Sequence, residues 1–301
     1  MTDMAALHAE DGFSQHGEDG IIVDALEKIG ALSAEKQRWC VEFGGGNGIY
    51  CSNTLNLVKN YGYRSVMIEP DDALFAELEA NLAGLDTLNI HRAVGFDAEC
   101  GLDAILAETD IPNEFDFLSI DIDGNDYHAL AAVNIYSPKM ICVEFNPTMP
   151  VEIDYVQPCD LDVIHGNSLA ALDRLLREKG YRSFATTTNN LFAIRRDLAH
   201  LLTDSLPSLE TLGSNIQKVV IFVTYDGTLL SNAKGIGLNW HGLFVPLDDF
   251  QILPRQLRKS RAAYGLFESL RFLAIKYRLW LKRGFRHLLA QQSSGNQNPN
   301  R

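Results

Sequence analysis

Residues 39–50 read WCVEFGGGNGIY. A short apolar run, Trp39 to Phe43, ends in Gly44-Gly45-Gly46-Asn47-Gly48, and a helix-compatible stretch follows. That order predicts a buried strand, a turn a ligand can approach at the backbone, and a helix whose free N–H groups face the turn. Glu42 is the unusual residue. A carboxylate beside the turn repels phosphate, and the spacing is neither G-x-G-x-x-G nor G-x-x-x-x-G-K-[ST]. The loop suits a ligand that is cationic and carries little or no phosphate, not a dinucleotide or ATP.

Outward from this stretch, strand and helix patterns alternate. Upstream, a polar lead-in, Gln15-His16-Gly17-Glu18-Asp19, opens a helix with Ile21, Ile22, Ala25, Leu26 and Ile29 on one stripe. The lead-in reads equally as a helix cap or as a lid on the ligand. Downstream, Ser52 or Asn53 can cap a helix through about residue 60, closed by Gly62. Residues 65–70 form a second strand ending in Glu69, and 71–83 a helix that turns Leu74, Phe75, Leu78 and Leu82 inward. Strand patterns recur at 87–94, 115–121 and 140–145, with helices at 102–108, 126–133 and 168–179. Two last strands, 181–186 and 191–195, meet at the turn-prone pair Asn189-Asn190. The alternation implies a mostly parallel sheet covered on both faces, with an antiparallel edge.

Ligands in such sheets bind beyond the carboxyl ends of the strands. Four of the first five strands deliver an acid there: Glu42, Glu69, Asp121 and Glu144. Buried carboxylates cost several kcal/mol unless paired or solvated, so this acidic rim reads as functional. Glu69 can accept hydrogen bonds from both hydroxyls of a ribose. That alone fits NAD as well as an adenosyl group, and Glu42 turns the choice toward S-adenosylmethionine, whose sulfonium is cationic.

The segments VEFGGGNG, VMIEPDD, LDAILAE, FDFLSIDIDGNDYHAL and ICVEFNP, in this order, resemble a class I S-adenosylmethionine-dependent methyltransferase of the FkbM-like family, over roughly residues 13–196. The resemblance implies a Rossmann-like methyltransferase fold: a seven-stranded, mostly parallel sheet with an antiparallel edge and helices on both faces. To this is added a helical basic C-terminal extension. It implies cofactor binding through Glu42, Gly44, Gly46 and Asn47 for the methionine part, and Glu69 for the ribose. Ala93 and Val94 would lie near adenine, and Asp121 would join the site. It also implies O-methylation of a hydroxyl on a sugar, glycan or small natural product. The IDVEG motif usual in the family is here Ile120-Asp121-Ile122-Asp123-Gly124, which keeps paired acids and shortens the second.

An alkyl hydroxyl is a poor nucleophile and needs a base or a cation. Asp121, Asp123, His128 and His165 are the candidate catalytic groups. Asp121, Glu144 and Asn146 resemble the Asp-Asp-Asn sites of magnesium-dependent O-methyltransferases, and oxygen ligands suit Mg²⁺. Asp126 reads as a further acid of the strand-four loop or as a helix cap. Residues 147–166 form a long acidic insertion expected to shape the acceptor pocket, with Tyr155, Asn167 and Ser168 beside His165. Ser168 also reads as the N-cap of the next helix. The TTTNN stretch at 186–190 reads first as a hairpin turn and second as a return toward the same pocket.

The chain has 301 residues, 46% apolar and 22% charged, as expected of a globular protein. It contains no run long enough to span a membrane, no signal-peptide order at its N-terminus, and five cysteines without a CxxC pair, which together suit a cytoplasmic protein with free thiols. Residues 1–250 hold 38 acids and 15 bases, a net charge of −23, which argues against nucleic acid as the main substrate. Residues 251–290 hold ten bases and one acid, a net charge of +9. The sequence divides into a methyltransferase domain at 1–196, an accessory segment at 197–254 packing on the core, basic amphipathic helices at 255–290, and a polar tail at 291–301 expected to be disordered. The basic helix fits peripheral contact at the inner membrane face, or packing against a second subunit or against the acidic body. Competing readings of the whole are a nicotinamide-dependent oxidoreductase and a non-catalytic binding or assembly protein that retains the fold.

Overall fold

A computed structural model describes residues 12–33, 37–97, 99–216, 218–238 and 241–294, with side chains to residue 282. The expectations for residues 1–11 and 295–301, and for side chains beyond residue 282, lie outside the described residues. The chain divides into two compact units, Met1–Lys218 and Val219–Arg301.

In the first unit, helix α1 (Glu18–Lys28) precedes strand β1 (Arg38–Phe43), α2 (Leu55–Tyr61), β2 (Tyr63–Glu69), α3 (Asp72–Asn81) and β3 (Thr87–His91). Then come α4 (Leu102–Leu106), β4 (Phe117–Ile120), α5 (Asp126–Ala132), β5 (Met140–Glu144), α6 (Leu169–Glu178), β6 (Tyr181–Thr186) and β7 (Asn190–Arg195), with short helices α7 (Ala199–Leu202) and α8 (Leu209–Leu212). The seven strands form one sheet in the order β3-β2-β1-β4-β5-β7-β6. All pairs are parallel except those of β7 with β5 and β6. This is the expected mostly parallel sheet with its antiparallel edge, and the strand order is that of the class I methyltransferase fold.

Strand order reverses between β1 and β4, which opens a crevice at their carboxyl ends. The two-residue period of β1 decides what faces where. Trp39, Val41 and Phe43 join the apolar core on one face, and Cys40 joins the core on the other, with Ile22, Leu26 and Phe117. Glu42 follows Cys40 onto that second face, where it is buried. Burial on both faces explains why the strands read as unbroken apolar runs.

Several local expectations shift. The first residue of α2 is Leu55 and its N-cap is Thr54, not Ser52 or Asn53. Ser52 nonetheless accepts the N–H groups of Thr54 and Leu55 through its hydroxyl, while Asn53 is drawn elsewhere. On α3, Leu78 is buried, as is Leu82 at its C-cap, but Leu74 is exposed and Phe75 stacks half-buried on the His91 ring. The helix presents a narrower face to the core than its apolar spacing suggests. Ile29 falls just beyond α1 and is half-buried. Ser168 caps α6, accepting the Ala171 N–H at 3.2 Å.

The second unit holds the hairpins β8 (Ile221–Val223) with β9 (Leu229–Ser231), and β10 (Gly235–Leu238) with β11 (Leu243–Pro246). Residues 219–225, expected as a strand or buried segment, give a three-residue strand whose residues are all exposed. The turn at Asp226-Gly227 is present, with Asp226 accepting the Thr224 hydroxyl and the Thr228 N–H. Helix α9 runs Leu266–Ser294, so residues 291–294 of the tail expected to be disordered are helical. No helix among the described residues is long and apolar enough to cross a membrane.

Candidate active site

The glycine turn is built against β4 and β2. Gly44 and Gly45 both donate to the Ile68 carbonyl, and Asp121 N–H donates to the Phe43 carbonyl at 3.0 Å. Gly44 has φ +85°, and a Cβ placed on it would lie 1.7 Å from the Asp121 carbonyl oxygen. Only glycine allows that approach. Gly46 also has positive φ, +51°, but a Cβ there would meet nothing within 4 Å. The turn is thus sealed against the protein at Gly44 and open at Gly46, as a backbone cradle for a ligand requires.

Glu42 is committed to the protein. Its carboxylate accepts the hydroxyls of Ser52 and Thr54, each at 2.6 Å, and the Asn53 N–H at 2.7 Å. Burial pushes its carboxyl up despite these three donors. It fixes the 52–54 segment behind the turn, while the Asn53 amide reaches Ser119 on β4. Glu69, also buried, accepts the N–H groups of Gly46 at 2.8 Å and Asp71 at 2.9 Å. Each carboxylate oxygen has a second lone pair, so Glu69 retains acceptor capacity beside the open side of the turn. Asn47 folds back on itself, its side-chain oxygen accepting Ile49 and Tyr50 N–H. Beyond β3, Ala93 is exposed and Val94 is buried in the core.

The loop after β4 concentrates charge. Carboxylate oxygens of Asp121, Asp123 and Glu144 lie within 4.8 Å of one another. Asp123 is exposed and has φ +57°, one of two non-glycine residues in the left-handed region among those described. Such backbone strain clusters at functional sites. Burial, then the charge of Glu144 and other neighbouring acids, pushes the Asp121 carboxyl well above the usual range. Burial and the Asp126 charge do the same to Glu144, against a hydrogen bond from Asn189. Burial raises Asp123 as well. Asp126 is fully enclosed and accepts the N–H groups of Ile122 and Gly124, both at 2.9 Å; burial lifts it to about 6. It folds the loop that presents Asp121 and Asp123. Among the described residues no Lys or Arg forms an ion pair with Glu42, Glu69, Asp121, Asp123, Asp126 or Glu144.

The other sequence candidates are placed by the 146–168 loop. Asn146 gives its amide oxygen to the Thr148 N–H and hydroxyl, and its amide nitrogen donates to the His165 carbonyl. His128 Nε2 donates to the Gln157 carbonyl at 2.9 Å, with its ring against Phe96 and Tyr127. His165 Nδ1 lies 2.7 Å from the Tyr155 hydroxyl, and the two rings line a surface pocket with Met149 and Ile153. The structure therefore gathers Asp121, Asp123 and Glu144, whereas His128 Nε2 and both amide atoms of Asn146 are engaged by the loop.

Sequence reading missed Gln157, and it gave Asn167 to the acceptor pocket and not to holding this loop. Gln157 is buried; its side-chain oxygen accepts His165 and Gly166 N–H while its amide donates to Val163. Asn167 bridges Gln157 N–H to the Gly124 carbonyl. At the β6–β7 tip, Asn189 donates to Glu144, and Thr187 and Asn190 donate to Glu18. The TTTNN stretch is thus a turn and also a return toward the acidic rim. Burial works to raise Glu18, but hydrogen bonds from Thr187, His16 and Asn190 outweigh it and hold the carboxyl low. Asp19 gathers the N–H groups of Gly12, Phe13 and Ser14. The lead-in acids act as anchors that tie residues 12–18 to the helix and hairpin.

The model of the methyltransferase FkbM domain matches residues 99–183, the span from α4 to the start of β6 that carries Asp121, Asp123 and Glu144. No curated protein matches the sequence. Solved structures with a related chain course include the METTL16 methyltransferase domain, at 17% identity, covering 59% of this chain and 66% of that chain with a TM-score of 0.39. Mitomycin 7-O-methyltransferase MmcR is 19% identical, with 58% and 54% covered and a TM-score of 0.35. The chain spans about half to two thirds of the length of these proteins.

Proposed function

We propose that this chain, whose residues 99–183 match the methyltransferase FkbM domain and whose sheet has the strand order of the class I fold, methylates a hydroxyl of a sugar, glycan or small natural product with S-adenosylmethionine. The observation that carries the reading is the rim of strand-end carboxylates without a basic partner, set around a glycine turn that is open at Gly46. Such a rim favours a cationic sulfonium and disfavours the pyrophosphate of NAD. When bound, the cofactor supplies an activated methyl group for in-line displacement. Glu69 takes the ribose hydroxyls, and the backbone of 44–46 takes the methionine part. Isothermal calorimetry with S-adenosylmethionine, S-adenosylhomocysteine and NAD tests the cofactor. Binding of NAD with no affinity for either sulfur compound would overturn the reading. Glu69→Ala is expected to weaken S-adenosylhomocysteine binding by roughly tenfold or more, the loss of hydrogen bonds to a charged acceptor.

The acceptor hydroxyl must lose its proton. Asp121, whose carboxyl burial and the neighbouring acids raise well above the usual range, is a stronger base than an ordinary carboxylate once it is ionised. The carboxylates of Asp121, Asp123 and Glu144 also fit Mg²⁺, a hard cation that oxygen donors hold and that lowers the pKa of a bound hydroxyl. Asp123 joins Asp121 and Glu144 in this set, while Asn146, the third ligand expected from the sequence, has its amide oxygen on the Thr148 N–H and hydroxyl. Turnover is expected to fall by about tenfold or more in EDTA and to return with Mg²⁺, and Asp123→Asn is expected to weaken the Mg²⁺ dependence. Turnover indifferent to EDTA and Mg²⁺ leaves Asp121 as base without a metal.

A further inference from the structure

Helix α9 spaces its residues by about 100°. Phe267, Leu270, Leu273, Tyr277, Trp280 and Leu281 therefore share one stripe roughly 140° wide. All six are exposed, Phe267 by 85% and Trp280 by 67%. The opposite side holds the helix to its own unit: Phe272 and Ile275 are half-buried, with the Phe272 ring 5.8 Å from Tyr264 and the Arg261 guanidinium 4.8 Å from its centre. The exposed stripe is thus the face the unit leaves open as far as Ile275, and from Lys276 to Lys282 every side chain is exposed, Leu279 on the other side included. Arg271, Arg278 and Lys282 run along one flank of it and Lys276 along the other, all exposed.

We propose that this face docks on an anionic membrane surface, with the apolar stripe in the headgroup–acyl boundary and the basic flanks on lipid phosphates. Bulky aromatic and aliphatic side chains bordered on both sides by long basic ones are what an interfacial helix requires, because Lys and Arg stems extend along the apolar layer to reach phosphate. A second copy of the helix is a poor partner. Antiparallel pairing would set basic flank against basic flank, and Glu268, the one acid in residues 251–290, is already held by Lys259 and the Gly265 N–H. Nucleic acid would neutralise the flanks and leave six large apolar side chains in water. Docking would bring enzyme to membrane-bound acceptors, a role separate from cofactor chemistry.

Co-sedimentation of the full chain with phosphatidylcholine vesicles, with and without about 30% phosphatidylserine, tests this. Binding is expected to be at least tenfold tighter with phosphatidylserine and to weaken between roughly 0.1 and 0.5 M NaCl. Phe267→Ser/Tyr277→Ser/Trp280→Ser and, separately, Arg271→Gln/Arg278→Gln/Lys282→Gln are each expected to lower binding about tenfold or more with the melting temperature of the first unit unchanged. Three results would overturn the proposal. These are no vesicle binding at low salt, equal binding to both vesicles, or a dimer in sedimentation equilibrium that the apolar triple variant dissociates while vesicles capture neither form. Because the readout is lipid binding, it stands or fails independently of whether S-adenosylmethionine binds.

Discussion

Gly44→Ala is expected to cost about 3 kcal/mol or more of stability and to reduce S-adenosylhomocysteine binding by roughly a hundredfold. Two effects add. At φ +85° any side chain is strained, by about 1–2 kcal/mol. A Cβ would also lie 1.7 Å from the Asp121 carbonyl oxygen and 2.8 Å from its carbonyl carbon, both backbone atoms. Relief requires the ends of β1 and β4 to separate, which breaks the Asp121 N–H to Phe43 carbonyl bond and moves the acids that follow β4. Gly46→Ala is the internal control. Its added methyl meets no protein atom within 4 Å, so stability should change by only about 1 kcal/mol, from the left-handed backbone alone. Cofactor binding should still fall about tenfold, since the methyl occupies the open side of the turn. Urea unfolding separates the stability terms and calorimetry the binding terms. Gly44→Ala with wild-type stability would contradict the close approach. Undiminished cofactor affinity in Gly46→Ala would place the cofactor elsewhere.

What the sequence makes legible follows from locality. Each strand is an unbroken apolar run because both faces of the sheet are covered, and an acid at the end of such a run cannot be hidden by periodicity. Glu42, Glu69, Asp121 and Glu144 were therefore visible, and so was the sheet. The Ser168 cap was visible because its partner is three residues away. Contacts that join distant segments leave no spacing to detect. Glu42 looked like a cofactor ligand from its place beside the turn, yet its oxygens accept from Ser52, Asn53 and Thr54. The clamp through Gln157 and Asn167, and the reach of Asn189 to Glu144, depend on how the 146–168 loop and the β6–β7 tip fold back. A hint existed. Two adjacent asparagines at a tip beside the edge strand offer amides that a plain hairpin does not need. The tail shows the same limit. Its helix and charge were legible, whereas the face it leaves open depends on which aromatic residue, Phe272, packs against its own unit.

Asp121→Asn is expected to make the protein more stable and nearly inactive. In the unfolded chain an aspartate ionises near 3.8, whereas in the fold burial and the charges of Glu144, Asp126, Asp123 and Glu42 hold the Asp121 proton to much higher pH. Above about pH 4 the folded state then binds more protons than the unfolded state, so its stability falls as pH rises through neutrality. Asparagine removes that dependence at nearly constant shape. In EDTA at about pH 8 the variant should be more stable than wild type by roughly 1–3 kcal/mol, and near pH 5 the gap should be smaller, closing only below about pH 4 where the unfolded aspartate is protonated too. Thermal melts at the two pH values measure this. Turnover should fall roughly a hundredfold or more, since the amide can neither take a proton nor hold a cation at that charge. Glu144→Gln should repeat both changes in part. The double variant should fall short of their sum, because relieving one member of a repelling pair already relieves the other. An acid kept only for structure would lose stability on this exchange, and one on an open surface would change neither property. Rising stability with collapsing turnover is what distinguishes a carboxylate held in an unfavourable place for its chemistry. Lower stability at pH 8, or turnover near wild type, would remove Asp121 from the centre of the site.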